Sequence, residues 1–233
     1  ALELAKKGLH LILTYNNNEE KAKEVIKEIE RLGQQAIAVQ LNVTEFNNFE
    51  EFFATVKKSI KSKFGVEKID YLINNAGIGI NVPFAKTTEE QLDTIYNIQF
   101  KGTYLLTQRA LNILNDGGGI VNVSTGLTRF ALNGFSVYAS MKSAIETLTK
   151  YQAKELGDRK IRSNVIAPGA IETDFGGGAV RDNEKMNNFI ASNTVLGRVG
   201  LPDDIGSVVA FLCTDDAKWI NAQRIEVSGG QMI

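Results

Sequence analysis

The sequence has 233 residues, of which 43% are hydrophobic and 23% are charged, and its formal net charge is −1. This composition predicts one globular domain over residues 1–233, and the lack of a basic block or a long apolar run argues against nucleic-acid or membrane partners. The single cysteine, Cys213, and the single histidine, His10, form no metal-binding cluster, so we expect no metal and a reducing, cytoplasmic location.

Strands and helices alternate in the pattern of the first half of the chain. A helical stretch over residues 1–7 ends at Gly8 and precedes a strand at 9–15, a helix at 19–32 and a strand at 36–42. Helical spacing returns at 46–64, and a third strand covers 69–74. The hydroxyl of Thr87 lies three residues before Glu90, a capping pattern that predicts a long helix from 87 to about 114.

The second half continues this alternation. We predict a strand at 120–124, a helix from about 136 to 156, a strand at 161–167, a helix at 202–212 and a last strand at 224–227. The glycine-rich, polar stretch 170–198 suits a mobile lid. Helices between strands require right-handed crossovers, and these produce a parallel sheet that helices cover on both faces.

Tyr138 and Lys142 are the residues around which we organise the functional prediction. Four residues apart, they share one face of a helix, so an ammonium lies near a phenol. A nearby positive charge favours the phenolate and should lower the tyrosine pKa, which would make Tyr138 a general acid or base. Isolated pairs of this kind are also common on exposed helices, so the surrounding motifs decide the interpretation.

Five motifs in order give the chain a resemblance to the short-chain dehydrogenase/reductase family, in its short single-domain branch and most like its 3-oxoacyl-carrier-protein-reductase-like members. They are Asn74-Asn75-Ala76-Gly77, residues 121–125, Tyr138-x-x-x-Lys142, Asn164-x-x-x-Pro168-Gly169 and residues 227–230. The resemblance implies a Rossmann-like doubly wound parallel sheet of about seven strands, with a nicotinamide cofactor across its carboxyl edge. It also implies a first strand and a glycine-rich phosphate loop of roughly 15 to 20 residues before Ala1, so that we expect the given sequence to be incomplete at its amino end.

By this resemblance, Tyr138 donates a proton to the substrate carbonyl, and Lys142 lowers the tyrosine pKa and bonds the nicotinamide ribose. A further hydroxyl that holds the substrate oxygen falls at Thr125, where the family has serine. Ser124 is the alternative, but in a continuing strand its side chain would point to the opposite face.

The family also has an asparagine that holds a water for a proton relay, three residues before a glycine. Alignment on Gly102 puts Gln99 at this position, one methylene longer than the family residue. Asn97 is the other amide nearby and would face elsewhere on the helix.

The cofactor-binding residues follow from the same resemblance. Tyr15 and Asn16 fall where NAD-preferring relatives carry an acid, and the absence of an acid favours NADP over NAD. The other matching positions are Asn42, Val43, Asn74, Ala76, Gly77, Pro168, Gly169, Ile171 and Thr173.

The resemblance therefore predicts an NAD(P)-dependent oxidoreductase that reduces a small-molecule carbonyl or oxidises the matching alcohol. Phe175, Phe130, Leu132 and Phe135 suggest a partly apolar substrate pocket. The helix that we predict to end near 114 and the helix that carries Tyr138 resemble those that form tetramer contacts in relatives, so the resemblance also implies a homotetramer. The alternatives are a cofactor-binding sensor or scaffold without chemistry, and an epimerase or dehydratase.

Overall fold

Six strands form two parallel sheets over a common core. The structure, a computed structural model, describes residues 1–233. One sheet pairs β1 (Leu11–Tyr15) with β2 (Ala36–Gln40), and the other has the order β3 (Ile69–Asn74), β4 (Leu114–Val123), β5 (Arg162–Pro168) and β6 (Arg224–Val227). Every pair is parallel, which confirms the predicted α/β class. The count of about seven strands is not reached, and β1 and β3 do not pair with each other.

Helices cover both faces of this layer. They are α1 (Leu2–Lys6), α2 (Glu19–Arg31), α3 (Phe49–Phe64), α4 (Glu89–Tyr96), α5 (Thr103–Ala110), α6 (Ser136–Glu155), α7 (Ala179–Asp182), α8 (Glu184–Ser192) and α9 (Pro202–Leu212). One buried cluster joins α1, α2 and α9 to Leu11 of β1, Val121 of β4 and Ile166 of β5. The two sheets therefore share one hydrophobic core, although they are not hydrogen-bonded to each other. No helix has the length and apolar character that crossing a membrane requires.

The predicted long helix at 87–114 is wrong in three respects. Its capping residue is Thr88, whose hydroxyl accepts from the Gln91 amide while the Gln91 side chain accepts from the Thr88 amide. The helix changes to a π-helix over Asn97–Gly102 before α5 resumes. It ends at Ala110, because the chain turns and enters β4 at Leu114.

Strand β4 begins at Leu114, six residues before the predicted start at 120. Gly117, Gly118 and Gly119 lie within the strand and do not interrupt it. The register between β3 and β4 shifts after the Ile69–Leu114 pair and resumes at Tyr71–Gly119. Gly118 lies here, and a β-carbon at this position would clash with the Asp70 carbonyl oxygen. The glycine thus allows a close approach of the two strands at an irregularity.

The stretch 170–198, for which we predicted a mobile lid, contains short helical segments. It contains a 3-10 turn at Phe175–Gly178, followed by α7 and α8. Gly176, Gly177 and Gly178 all have positive φ values of 63°, 74° and 77°. Three successive left-handed residues explain why the sequence has glycine at each of them.

Candidate active site

The carboxyl ends of the strands bring the predicted residues to one edge of the molecule. Parallel strands end on the same side, so Tyr15 at the end of β1, Thr125 after β4 and Gly169 after β5 lie along this edge. Helix α6 packs against β4 and β5 and carries Tyr138 in its first turn. The fold therefore assembles the site from segments that are distant in sequence.

Tyr138, Lys142 and Thr125 form a buried polar group at this edge. Only 7% of Tyr138 and 5% of Lys142 is exposed, and Thr125 is also buried. The Tyr138 hydroxyl lies close to the Thr125 side chain. The Lys142 Nζ lies 5.7 Å from the centroid of the Tyr138 ring and donates to the Val123 carbonyl oxygen at 2.9 Å.

The electrostatics of this group differ from the prediction. Burial raises the pKa of Tyr138 to about 12, and the nearby Thr125 side chain acts in the opposite direction but does not outweigh burial. Burial also lowers the pKa of Lys142 to about 8. The predicted lowering of the tyrosine pKa by Lys142 is thus wrong for the protein alone, because desolvation dominates both groups. Tyr138 keeps its proton at neutral pH.

The two candidate hydroxyls at the end of β4 point in different directions. Thr125 lies beside Tyr138, whereas the Ser124 hydroxyl donates to Glu146 Oε1 at 2.6 Å. This divergence is the one expected for neighbouring residues that leave a strand.

Gln99 lies in the π-helix and is 99% buried. Its Nε2 donates to the Ile78 carbonyl oxygen, and its Oε1 has no hydrogen-bond partner. A β-carbon at residue 77 would lie 2.7 Å from Gln99 Oε1, so Gly77 gives the amide its space. The π-helix was not predicted, and no simple sequence signal marks it, although such bulges are frequent at functional sites.

Six of the predicted cofactor residues line one pocket of about 200 Å³. They are Tyr15, Asn16, Asn42, Val43, Ala76 and Gly77, and the remaining walls are Thr14, Leu41, Ile78 and Ile98. None of these ten residues carries a charge. The Asn42 amide is tied to its own loop, because it donates to Glu45 and accepts from the Thr44 amide. The pocket has the polarity that an adenosine moiety needs, and no carboxylate in it would repel a 2′-phosphate.

The other predicted cofactor residues lie outside this pocket. Asn74 turns its amide inward, where it donates to Thr107 Oγ1 at 2.9 Å and to Asn122 Oδ1 at 2.8 Å. Pro168 ends β5, and Gly169 donates to the Val227 carbonyl at 3.0 Å. The loop then continues with Ile171, which bridges to Gly200, and Thr173, whose hydroxyl accepts from the Phe175 amide.

The Phe175 ring lies beside the Tyr138 ring. The two ring centroids are 6.0 Å apart, and 47% of Phe175 is exposed. A β-carbon at residue 79 would lie 2.9 Å from the Phe175 ring, so Gly79 leaves space for this ring. An apolar side chain therefore lies at the mouth of the polar group.

A groove of about 550 Å³ lies elsewhere on the protein. It runs between the outer faces of α5 and α6, and its walls include Phe100, Tyr104, Leu148 and Tyr151. Tyr151 is 63% exposed. We assign the chemistry to the smaller edge site, because none of the groove's residues is a buried ionisable group of the kind found around Tyr138. No group of three or more His, Cys, Asp or Glu side chains is placed to hold a metal ion.

The chain was also compared with known proteins. Residues 1–232 match the family model described as "Enoyl-(Acyl carrier protein) reductase". The hydroxynaphthalene reductase-like protein Arp2 of Metarhizium brunneum is 34% identical, and the alignment covers 100% of this chain and 89% of Arp2.

Two solved ketoreductases have the same fold. The promiscuous reductase LugOII, which catalyses keto-reduction at C1 during lugdunomycin biosynthesis, matches with a TM-score of 0.94 and 35% identity, over 100% of this chain and 92% of LugOII. The angucycline C-6 ketoreductase LanV with bound NADP matches with a TM-score of 0.92 and 30% identity, over 99% and 90% of the two chains. The chain thus belongs to the short-chain dehydrogenase/reductase family and is an NAD(P)-dependent oxidoreductase.

Proposed function

We propose that this protein reduces a carbonyl group of a small molecule with NADPH, and that Tyr138 gives the proton to the carbonyl oxygen. The observation that carries this proposal is the buried group in which Tyr138 lies beside Thr125, with Lys142 one helical turn away. When bound, NADPH supplies the hydride. The residues of the chain then have to hold the carbonyl and move one proton.

Each member of the group has a distinct task in this proposal. Tyr138 is protonated at neutral pH, because its pKa is about 12, so it can act as the acid in the direction of reduction. The Thr125 hydroxyl holds the same carbonyl oxygen and orients it. Lys142 is mostly protonated at pH 7, and its charge stabilises the phenolate that remains when the proton leaves.

Lys142 and Gln99 have hydrogen-bonding capacity that the protein does not use. The Lys142 ammonium has three N–H groups, and one of them donates to Val123. The other two can donate to the ribose hydroxyls of the nicotinamide half. Gln99 Oε1 is buried without a partner and can accept from a water in a proton relay.

We infer a preference for NADP(H) from the uncharged pocket around Tyr15, Asn16 and Asn42. An acid there would accept from the 2′-hydroxyl of NAD and would repel the 2′-phosphate of NADP. No acid lines the pocket, and the similar ketoreductase LanV binds NADP.

The substrate class is inferred from the apolar mouth of the site. Phe175 lies over Tyr138, and Phe130 and Leu132 belong to the segment after Thr125. An apolar wall beside a polar acid suits a ketone on a hydrophobic or ring-bearing skeleton. The similar proteins LugOII and LanV are ketoreductases, which agrees with this inference.

We also infer that the protein assembles as a homotetramer through the groove between α5 and α6. The exposed aromatic rings of Tyr104 and Tyr151 form an apolar surface on both helices. Surfaces of this type on soluble proteins are commonly covered by another chain. The assembly leaves the carboxyl edge of the sheet free for substrate.

The test is a spectrophotometric assay of NADPH and NADH consumption with a panel of aliphatic, aryl and fused-ring ketones. We expect turnover that is faster with NADPH, and a fall of about 10²- to 10⁴-fold in kcat for Tyr138→Phe with unchanged NADPH binding. Tyr151→Phe, a tyrosine far from the site, is the matched control. Cofactor binding without turnover of any ketone would refute the proposal and favour a cofactor-binding sensor.

A further inference from the structure

A cluster of four charged side chains lies behind Thr125. This ion cluster consists of Arg129, Glu146, Arg224 and Glu226. Arg224 of β6 donates from Nε to Glu146 Oε1 at 2.8 Å and from NH1 to Glu226 Oε2 at 2.6 Å, and Glu226 pairs with Arg129 at 3.4 Å. The Glu146 and Arg224 side chains are only 17% and 25% exposed. The charges alternate and cancel, so that no charge of the cluster is left without an opposite partner.

Glu146 connects this cluster to the site. It lies on α6 one turn after Lys142, and its Oε1 accepts from Ser124 Oγ at 2.6 Å and from Thr128 Oγ1 at 2.7 Å. One carboxylate oxygen thus holds a residue on each side of Thr125. Charge-assisted bonds of this length are among the stronger hydrogen bonds in proteins.

Arg224 holds the backbone of the same segment. Its NH2 group donates to the Thr125 carbonyl oxygen at 3.3 Å and to Thr128 Oγ1 at 3.1 Å. The Phe130 ring and the Glu226 carboxylate pack closely around Gly126. A β-carbon at this residue would lie 3.2 Å from the ring and 3.4 Å from the carboxylate. Segment 124–128 is therefore fixed by side chains that come from α6 and β6.

We propose that Glu146 and Arg224 are positioning residues that set the Thr125 hydroxyl against Tyr138. The proposal rests on the carbonyl reduction proposed above, in which the substrate oxygen has to meet both hydroxyls. Neither residue touches Tyr138, so both act through segment 124–128. A displacement of about 1 Å at such a hydroxyl is enough to lower a rate about 100-fold.

The kinetic test is a double-variant cycle on the full chain with NADPH and the best ketone of the panel. Glu146→Gln keeps the shape and removes the charge, and Glu28→Gln on the exposed face of α2 is the matched control. We expect Glu146→Gln to lower kcat 10- to 100-fold with less than a twofold change in KM for NADPH. In a Thr125→Ala background the same substitution should change kcat less than twofold, because no hydroxyl is left to position.

An equal loss in both backgrounds would overturn the proposal, because a purely structural role lowers the rate whether or not Thr125 is present. So would an unchanged kcat in Glu146→Gln. If Glu146→Gln does not fold, Ser124→Ala removes a single donor to the carboxylate and should give a 3- to 10-fold loss that Thr125→Ala again abolishes.

A second measurement does not depend on turnover and separates this proposal from the proposed function. The chain has six tyrosines, and ring-labelled tyrosine with Tyr138→Phe assigns the Tyr138 NMR signal. We expect the signal to shift in Glu146→Gln and to stay unchanged in Glu28→Gln. An unmoved Tyr138 signal in Glu146→Gln would overturn the positioning role even if the enzyme reduces ketones. A shifted signal would support it even if no ketone in the panel is reduced.

Discussion

Replacing Lys142 by methionine should make the protein more stable and inactive. Lys142 is 95% buried, and the only hydrogen bond of its ammonium group within the protein is to the Val123 carbonyl oxygen. Burial of a charge that lacks a carboxylate partner destabilises the folded state. Methionine has a similar length and no charge, so it fills the same space without this penalty.

The size of the effect follows from the pKa of the lysine. A lysine with an ordinary pKa of 10.5 in the unfolded chain and about 8 in the folded protein destabilises the fold by about 3 kcal/mol at pH 7. Loss of the hydrogen bond to Val123 offsets about 1 kcal/mol of the gain. We therefore expect Lys142→Met to raise the free energy of unfolding by about 2 kcal/mol, or the Tm by about 4–8 °C for a chain of this length.

The stability gained in Lys142→Met should depend on pH. Below pH 8 the lysine is charged in both states, and the full penalty is present. Between pH 8 and 10.5 the folded lysine loses its proton while the unfolded one keeps it, so the folded state gains stability as pH rises. The advantage of Lys142→Met should thus be largest near pH 7 and nearly absent at pH 10.

The assay is urea denaturation of wild type and Lys142→Met without cofactor, at fixed protein concentration, at pH 7, 8.5 and 10. Lys150→Met, an exposed lysine on the same helix, is the control and should change stability by less than about 0.5 kcal/mol. A variant no more stable than wild type at pH 7, or an advantage that does not decline with pH, would refute the reasoning.

Three further predictions concern activity, packing and assembly. The rate of reduction should stay constant at low pH and decline above about pH 8 as Lys142 loses its charge, and a pH–rate profile that stays flat to pH 10 would contradict this. Gly102→Ala should destabilise the protein by about 2–3 kcal/mol in urea denaturation, because a β-carbon there would clash with the Val43 carbonyl oxygen. Tyr151→Arg should lower the oligomeric mass measured by light scattering, because it places a charge in the groove between α5 and α6. Lys150→Met should leave the mass unchanged. An unaltered mass in Tyr151→Arg would show that the groove is not an interface.

The sequence predicted the strands well, because their signals are local. Buried runs such as residues 69–74 and 161–167 end at Asn-Asn and Pro-Gly turns, and the structure has strands within one residue of both ranges. The family motifs also indicate which strand ends lie together at the carboxyl edge of the sheet. No long-range information is needed for either inference.

The π-helix, the direction of the pKa shifts and the ion cluster could not be predicted in this way. The π-helix ends at Gly102, where the Val43 carbonyl oxygen leaves no space for a β-carbon, and the pKa of Tyr138 depends on how much protein covers it. Glu146 and Arg224 are 78 residues apart and carry no motif, so only the fold brings them together. Each of these features is a property of packing and not of spacing.

The distribution of satisfied and unsatisfied polar groups indicates which side of the site faces its ligands. Behind Thr125, Glu146 and Arg224 are paired with each other and hold segment 124–128 through hydrogen bonds of 2.6 to 3.3 Å. On the other side, Gln99 Oε1 has no partner, and Lys142 uses one N–H group. Buried groups without partners destabilise a fold, so they persist where a bound molecule completes them. In the function that we propose, the paired groups fix the geometry and the unpaired ones take part in the reaction, which is the arrangement that a preorganised site requires.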